Sequence, residues 1–160
     1  MFKKDLNPLT NYELEEKVKE LKIKYFRGVF MRDTLPNKIN DNEVGIVNLD
    51  SAKNNGTYWV CYSLRKSDTK IKDKCYYFDS FGLDPPIELQ NYLNSDIELS
   101  TFQIQKFNTH HCGYYCILVL KLLEKYNYKD IILSLKFFFL TLKRKMVHKF
   151  YCFRITMTIC

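Results

Sequence analysis

Leu14, Val18 and Leu21 recur at helical spacing behind Thr10-Asn11-Tyr12-Glu13. In that tetrapeptide the threonine hydroxyl and the glutamate carboxylate can each accept from the other's backbone N–H, a capping box, so the pattern predicts an amphipathic helix over residues 11–22. Residues 26–30 and 44–49 are short apolar runs flanked by Asp-Thr-Leu-Pro and Asp-Ser turn material. They read as strands or edge pieces, and the pattern leaves their pairing open. Residues 57–64 and 74–79 are rich in Tyr, Trp, Phe and Val and predict two strands joined through the polar segment 65–73. Pro85-Pro86 ahead of Ile87, Leu89, Tyr92 and Leu93 predicts a short helix ending near Leu93, because proline fits a first helical turn. A further strand is expected over residues 99–104. From Gly113 to Tyr126 apolar residues occupy nearly every face, the pattern of a helix buried inside a domain. Residues 128–135 could begin another helix, and beyond them no element is assigned. There is no internal repeat and no low-complexity linker.

At 160 residues and 46% hydrophobic content the chain has the material for one domain with a real core and too little for two. The opening Met-Phe-Lys-Lys-Asp is charged, unlike a secretory signal. The longest apolar stretch, 131–142, is broken by Ser134 and Lys136 and falls short of the roughly 18 residues a membrane helix needs. A soluble, intracellular protein is therefore expected, cytoplasmic or nuclear, with no membrane partner and acting as a monomer. In such a reducing compartment the six cysteines are expected as thiols rather than a disulfide framework. The formal charge of +7 is unevenly placed: six of the 25 Lys and Arg, and none of the 18 Asp and Glu, lie in residues 136–160. A nearly neutral domain over residues 1–135 is thus expected, followed by a basic, aromatic tail at 136–160. The tail is the segment that would bind DNA, if any does.

Hydrolysis by a thiol needs a nucleophile, a base that takes and returns a proton, a group orienting that base, and donors for the oxyanion. Cys112 precedes Gly113 and the buried helix, where free N–H groups and the dipole favour a thiolate. Gln105 lies far enough back for the loop 106–111 to return its amide beside the cysteine as an oxyanion donor. Taken singly these residues say little. Cys112 would read as a buried structural thiol, Asp79 as a turn residue before Ser80 and Phe81-Gly82, and Gln105 is easily confused with Gln103.

The constellation is more specific: Gly56-Thr57-Tyr58-Trp59-Val60, then Tyr77-Phe78-Asp79-Ser80-Phe81-Gly82, then Gln105 through Cys112-Gly113-Tyr114-Tyr115-Cys116. It resembles the adenovirus-type endopeptidases of the ubiquitin-like protease superfamily. Within them, Phe26-Arg27-Gly28-Val29-Phe30-Met31-Arg32-Asp33 looks most like the proteases of Maverick or Polinton DNA transposons. The resemblance spans residues 9–135 and implies an α+β, papain-like cysteine protease fold, with a central helix against a mostly antiparallel sheet and flanking helices. It places the nucleophile on Cys112, the carboxylate on Asp79 and the oxyanion glutamine on Gln105. The general-base position falls on Tyr58, where Gly-Thr-His-Trp would require histidine.

A phenol with a pKa near 10 neither deprotonates a thiol well nor supplies a cation beside a thiolate. His110 and His111 sit on the loop beside Cys112, and His148 lies in the tail. The implied activity is cleavage after glycine-containing sequences in viral-type precursors or ubiquitin-like tails, impaired by the missing imidazole. The alternative is a dead relative that keeps a peptide groove. No cofactor is required. His110, His111, Cys112 and Cys116 do not make a zinc site, because no second ligand pair stands at metal spacing.

Overall fold

The computed structural model describes residues 7–67 and 73–144. Helix α1 (Asn11–Glu20) opens on the expected capping box, with the Glu13 N–H donating to Thr10 Oγ1 at 3.2 Å and the Thr10 N–H donating to Glu13 Oε2 at 2.8 Å. It stops two residues short of the predicted end because Lys22 takes a left-handed φ of 50°. Leu14 and Val18 are its buried stripe.

Five strands form one sheet in the order β1-β2-β3-β4-β5. They are β1 (Phe26–Met31), β2 (Asn42–Asn48), β3 (Trp59–Arg65), β4 (Lys74–Phe78) and β5 (Ile97–Leu99). The two central pairings, β2 with β3 and β3 with β4, are antiparallel, and the edge strands β1 and β5 add parallel to them. The expected mixed α+β domain with a mostly antiparallel sheet is thus what forms.

Alternation along the strands loads both faces. Val60, Tyr62 and Leu64 of β3, with Cys75 and Tyr77 of β4, pack with Leu89 and Leu93 of α2 (Ile87–Leu93). Cys61 and Phe78 point the other way, into a core with Cys116, Ile117 and Leu120 of α3 (Cys112–Leu122) and Leu14 and Val18 of α1. A sheet covered on both sides explains why β2 and β3 read as nearly continuous apolar runs.

The expected strand over 99–104 is corrected: β5 is Ile97–Leu99, and the segment after it leaves the ladder. The Ile104 and Gln105 N–H groups instead both donate to Ser80 O, at 2.9 and 3.0 Å, which ties this segment to the turn after β4. Gly82 permits that approach. Its φ is +74°, and a Cβ there would lie 2.6 Å from the Phe102 nitrogen.

Helix α3 begins at Cys112 and ends at Leu122, four residues before the predicted Tyr126. Helix α4 (Tyr128–Arg144) follows, capped by Asn127, whose Oδ1 accepts from the Asp130 N–H at 3.0 Å, and it continues through residue 135. Residues 145–160, with His148 and most of the basic tail, lie outside the described residues. No described helix is long and apolar enough to cross a membrane.

Candidate active site

Cys112 is the first residue of α3 and is 7% exposed. The backbone N–H groups of Trp59 and Gly113 favour its thiolate, as the helix terminus leads one to expect. Burial nevertheless outweighs them and, helped by the Asp79 charge, pushes the thiol above its ordinary pKa. The net effect favours the protonated thiol at Cys112.

Burial comes partly from far along the chain. The segment ahead of α1 is strapped over the head of α3 by the Trp59 Nε1–H, which donates to Leu9 O at 2.9 Å, and by the Tyr114 hydroxyl, which donates to Asn7 O at 3.4 Å. Gly113 lets the strap close, since a Cβ there would meet Leu14 Cδ2 at 3.1 Å and Leu9 at 3.4 Å. Between this strap, β1 and the loop before β3 lies a cleft of about 630 Å³ whose lining includes Met31, Asn48, Tyr58, Trp59, His110 and Cys112. The Asn48 side chain shapes the cleft's rim: its Oδ1 accepts from the Asp50 and Thr57 N–H groups, both at 3.0 Å.

Tyr58 and Asp79 come together as the sequence order implies. The single proton of the Tyr58 hydroxyl is shared between Asp79 Oδ1, at 3.2 Å, and Ser80 Oγ, whose own proton goes to Gln105, while the Tyr58 ring stacks on Phe81 at 5.0 Å. Burial, and then the Asp79 charge, raise the phenol's pKa still further, which favours the protonated hydroxyl. Asp79 is 0% exposed. Its Oδ1 also accepts from the Phe81 N–H at 2.6 Å, and its Oδ2 has no hydrogen-bond partner among the described residues. Burial raises this carboxyl's pKa, although the Phe81 N–H and the Tyr58 hydroxyl pull the other way. No cation among the described residues is paired with this buried carboxyl.

Gln105 is 1% exposed and held at both ends of its amide. Its Oε1 accepts from Ser80 Oγ at 2.7 Å, and its Nε2 donates to Thr109 O, also at 2.7 Å, on the loop leading to Cys112. Gln103 is set apart from it: the Gln103 amide donates to the Gln105 backbone carbonyl at 2.7 Å. Sequence reasoning passed over Ser80, which joins Tyr58 to Gln105, because within Asp79-Ser80-Phe81-Gly82 it reads as turn material. His110 lines the cleft beside Cys112, and His111 is the N-cap residue of α3 with its ring edge-on to Tyr115. No cluster of metal-ligating side chains occurs among the described residues.

Two solved structures of the ASFV pS273R protease superpose on this architecture, with TM-scores of 0.58 for the Se-Met form and 0.50 for the other. The chain has the fold of that protease. Sequence identity is 16% in both, so the likeness is one of fold. Each match covers 82% of this chain, which spans a little under two thirds of the protease, 64% and 63%. No family model and no curated protein sequence matches.

The uncompensated Asp79 gives a pH signature. Its folded pKa is raised, so its contribution to stability is complete below the ordinary aspartate value of about 3.9 and is lost as pH rises through the raised value. Asp79→Asn should therefore stabilise the domain at neutral pH relative to wild type, and the gain should vanish near pH 4. Thermal unfolding of both proteins across that range checks it, and a pH-independent difference would refute the linkage.

Proposed function

We propose that this chain is a cysteine peptidase-type domain in which Cys112 is the nucleophile, Asp79 the orienting carboxylate and Gln105 the oxyanion glutamine, and in which Tyr58 in the base position impairs turnover. The observation that carries the reading is the meeting of Tyr58 with Asp79 and Ser80, and through Ser80 with Gln105, in a domain whose cleft is lined by Tyr58 and Cys112. Among the described residues no Asp, Glu, Lys or Arg lines that cleft, which suits neutral, glycine-containing segments of viral-type precursors or ubiquitin-like tails. The sequence wording favours an origin among proteases of Maverick or Polinton transposons. A second reading, a peptide-binding pseudoprotease, is favoured by the raised pKa values of the phenol and the thiol. Incubating the protein with a panel of glycine-containing peptides and with a ubiquitin-like aldehyde or vinyl sulfone probe separates the two. Turnover or covalent capture at Cys112 supports the peptidase, and reversible peptide binding without either supports the pseudoprotease.

The domain boundary and the DNA expectation are tested together. The α4 residues packed on the core are Tyr128, Ile131, Ile132 and Leu135, whereas Phe137 is 74% exposed. A chain ending at residue 135 should keep one cooperative thermal transition. Any DNA affinity of the full chain should be lost with the tail and should fall steeply with salt, because bound phosphates release counterions. Aggregation of the shortened chain, or equal DNA affinity in both, would count against the division.

A further inference from the structure

At the opposite end of β3 from the cleft lies a second pocket, of about 450 Å³, lined by Ser63, Arg65, Lys66, Lys74, Tyr76 and Tyr126 among others. Among the described residues no carboxylate lines it. Arg65 and Lys74 face each other directly across the antiparallel ladder, a like-charge pairing that opposes sheet formation. Arg65 is half-buried, and burial lowers its pKa. The contacts recorded for it are a 3.4 Å hydrogen bond from Nη1 to Leu64 O and a cation–π contact at 4.5 Å from the Tyr25 ring centroid, with no carboxylate at ion-pair distance among the described residues. The acids nearby are engaged: Asp41 pairs with Lys66 at 2.8 Å, Asp73 accepts from the Ser67 N–H at 3.1 Å, and Glu124 takes Lys121 Nζ at 2.6 Å and the Lys24 N–H at 2.8 Å. Ser63, only 2% exposed, adds a hydroxyl to the lining.

A partly desolvated guanidinium normally has an anionic partner, and two facing cations with no carboxylate at ion-pair distance among the described residues are stabilised by an anion between them. We propose that this pocket binds the dianion of a phosphate monoester, with Arg65 and Lys74 gripping the phosphate oxygens and Ser63 donating from the floor. Tyr126, 58% exposed at the rim, offers a ring on which a planar substituent can stack. The site is separate from the cleft and stands whether or not the chain cleaves peptides.

Calorimetric titration of the full chain with inorganic phosphate, a sugar phosphate and a nucleoside monophosphate, at constant ionic strength, tests the proposal. Saturable binding is expected for at least one. Equal affinities would mean that the phosphate alone is read, and tighter nucleotide binding would mean that the rim ring contributes. Lys74→Glu should weaken binding by about tenfold or more, the loss expected for a charge-assisted hydrogen bond. In phosphate-free buffer the same variant should raise Tm, since it turns a repulsive cross-strand pair into an attractive one. Ser63→Ala should weaken binding without changing the net charge. Absence of saturable heat with all three ligands, or undiminished binding by folded Lys74→Glu, overturns the proposal.

Discussion

Tyr58→His should raise cleavage of glycine-containing peptides by orders of magnitude, and adding Cys112→Ala should abolish the gain. On the proposed reading, neither partner of the proton transfer is in the right state. The Cys112 thiol is held protonated chiefly by burial, and Tyr58 holds its proton more tightly than a free phenol does. General acid–base catalysis typically contributes about 10²–10⁴-fold, and pairing with an imidazole also lowers a cysteine pKa, so the deficit exceeds either effect alone. The surroundings are suited to the replacement. Asp79 has an unpartnered buried oxygen able to accept from a ring N–H, and imidazole is smaller than the phenol it replaces. Ser80 Oγ loses the Tyr58 hydroxyl but keeps its bond to Gln105. The measurement is kcat/KM for wild type, the single variant and the double variant. Efficient cleavage by wild type, or a folded but inert Tyr58→His, would remove Tyr58 from the base position.

Glu43→Ala should destabilise the fold by about 1–3 kcal/mol, the cost typical of leaving a buried hydrogen-bonding group without its partner. Glu43 is 0% exposed within β2. Its Oε1 accepts from the Tyr62 hydroxyl at 2.6 Å and from the Tyr92 hydroxyl at 2.5 Å, and its Oε2 accepts from the Asn40 N–H at 3.0 Å, with Arg27 Nε at 3.8 Å. These bonds tie α2 to the sheet. Truncation strands the Tyr62 hydroxyl in a site that is 1% exposed and opens a void beside it. Glu43→Gln keeps an acceptor and should cost less. Urea unfolding of the three proteins gives the comparison, and a loss under about 1 kcal/mol for Glu43→Ala would show that water replaces the carboxylate.

The parts legible in the sequence were those written in local chemistry. The capping box of α1 is reciprocal within four residues, and the alternation that loads the sheet's two faces runs along β3 and β4 themselves. The grouping of Tyr58, Asp79, Gln105 and Cys112 could be read only through the ordered motif, since each residue alone has a bland reading. What depended on distant segments could not be read. The parallel edge pairings of β1 and β5 follow from chain crossing, not from side-chain period. Residues 100–104 look like a strand but give their N–H groups to Ser80 because Gly82 lets the two segments touch. The surroundings of Cys112 divide the same way: the helix terminus that favours a thiolate is visible at Cys112-Gly113, whereas the strap that buries it begins more than 100 residues earlier, at Asn7. Helix α4 runs on past residue 135, where the sequence reading assigned no element.

The strap's anchor has an optical use. Trp59 is the chain's single tryptophan, it lines the same cleft as Cys112, and its indole is fixed to Leu9 O. Intrinsic emission excited at the red edge of the protein band therefore comes from one fluorophore at the cleft wall. Peptide occupancy is readable as a change in its intensity or wavelength without any label, in Cys112→Ala as well as in wild type, which makes affinity measurable even where no bond is cut.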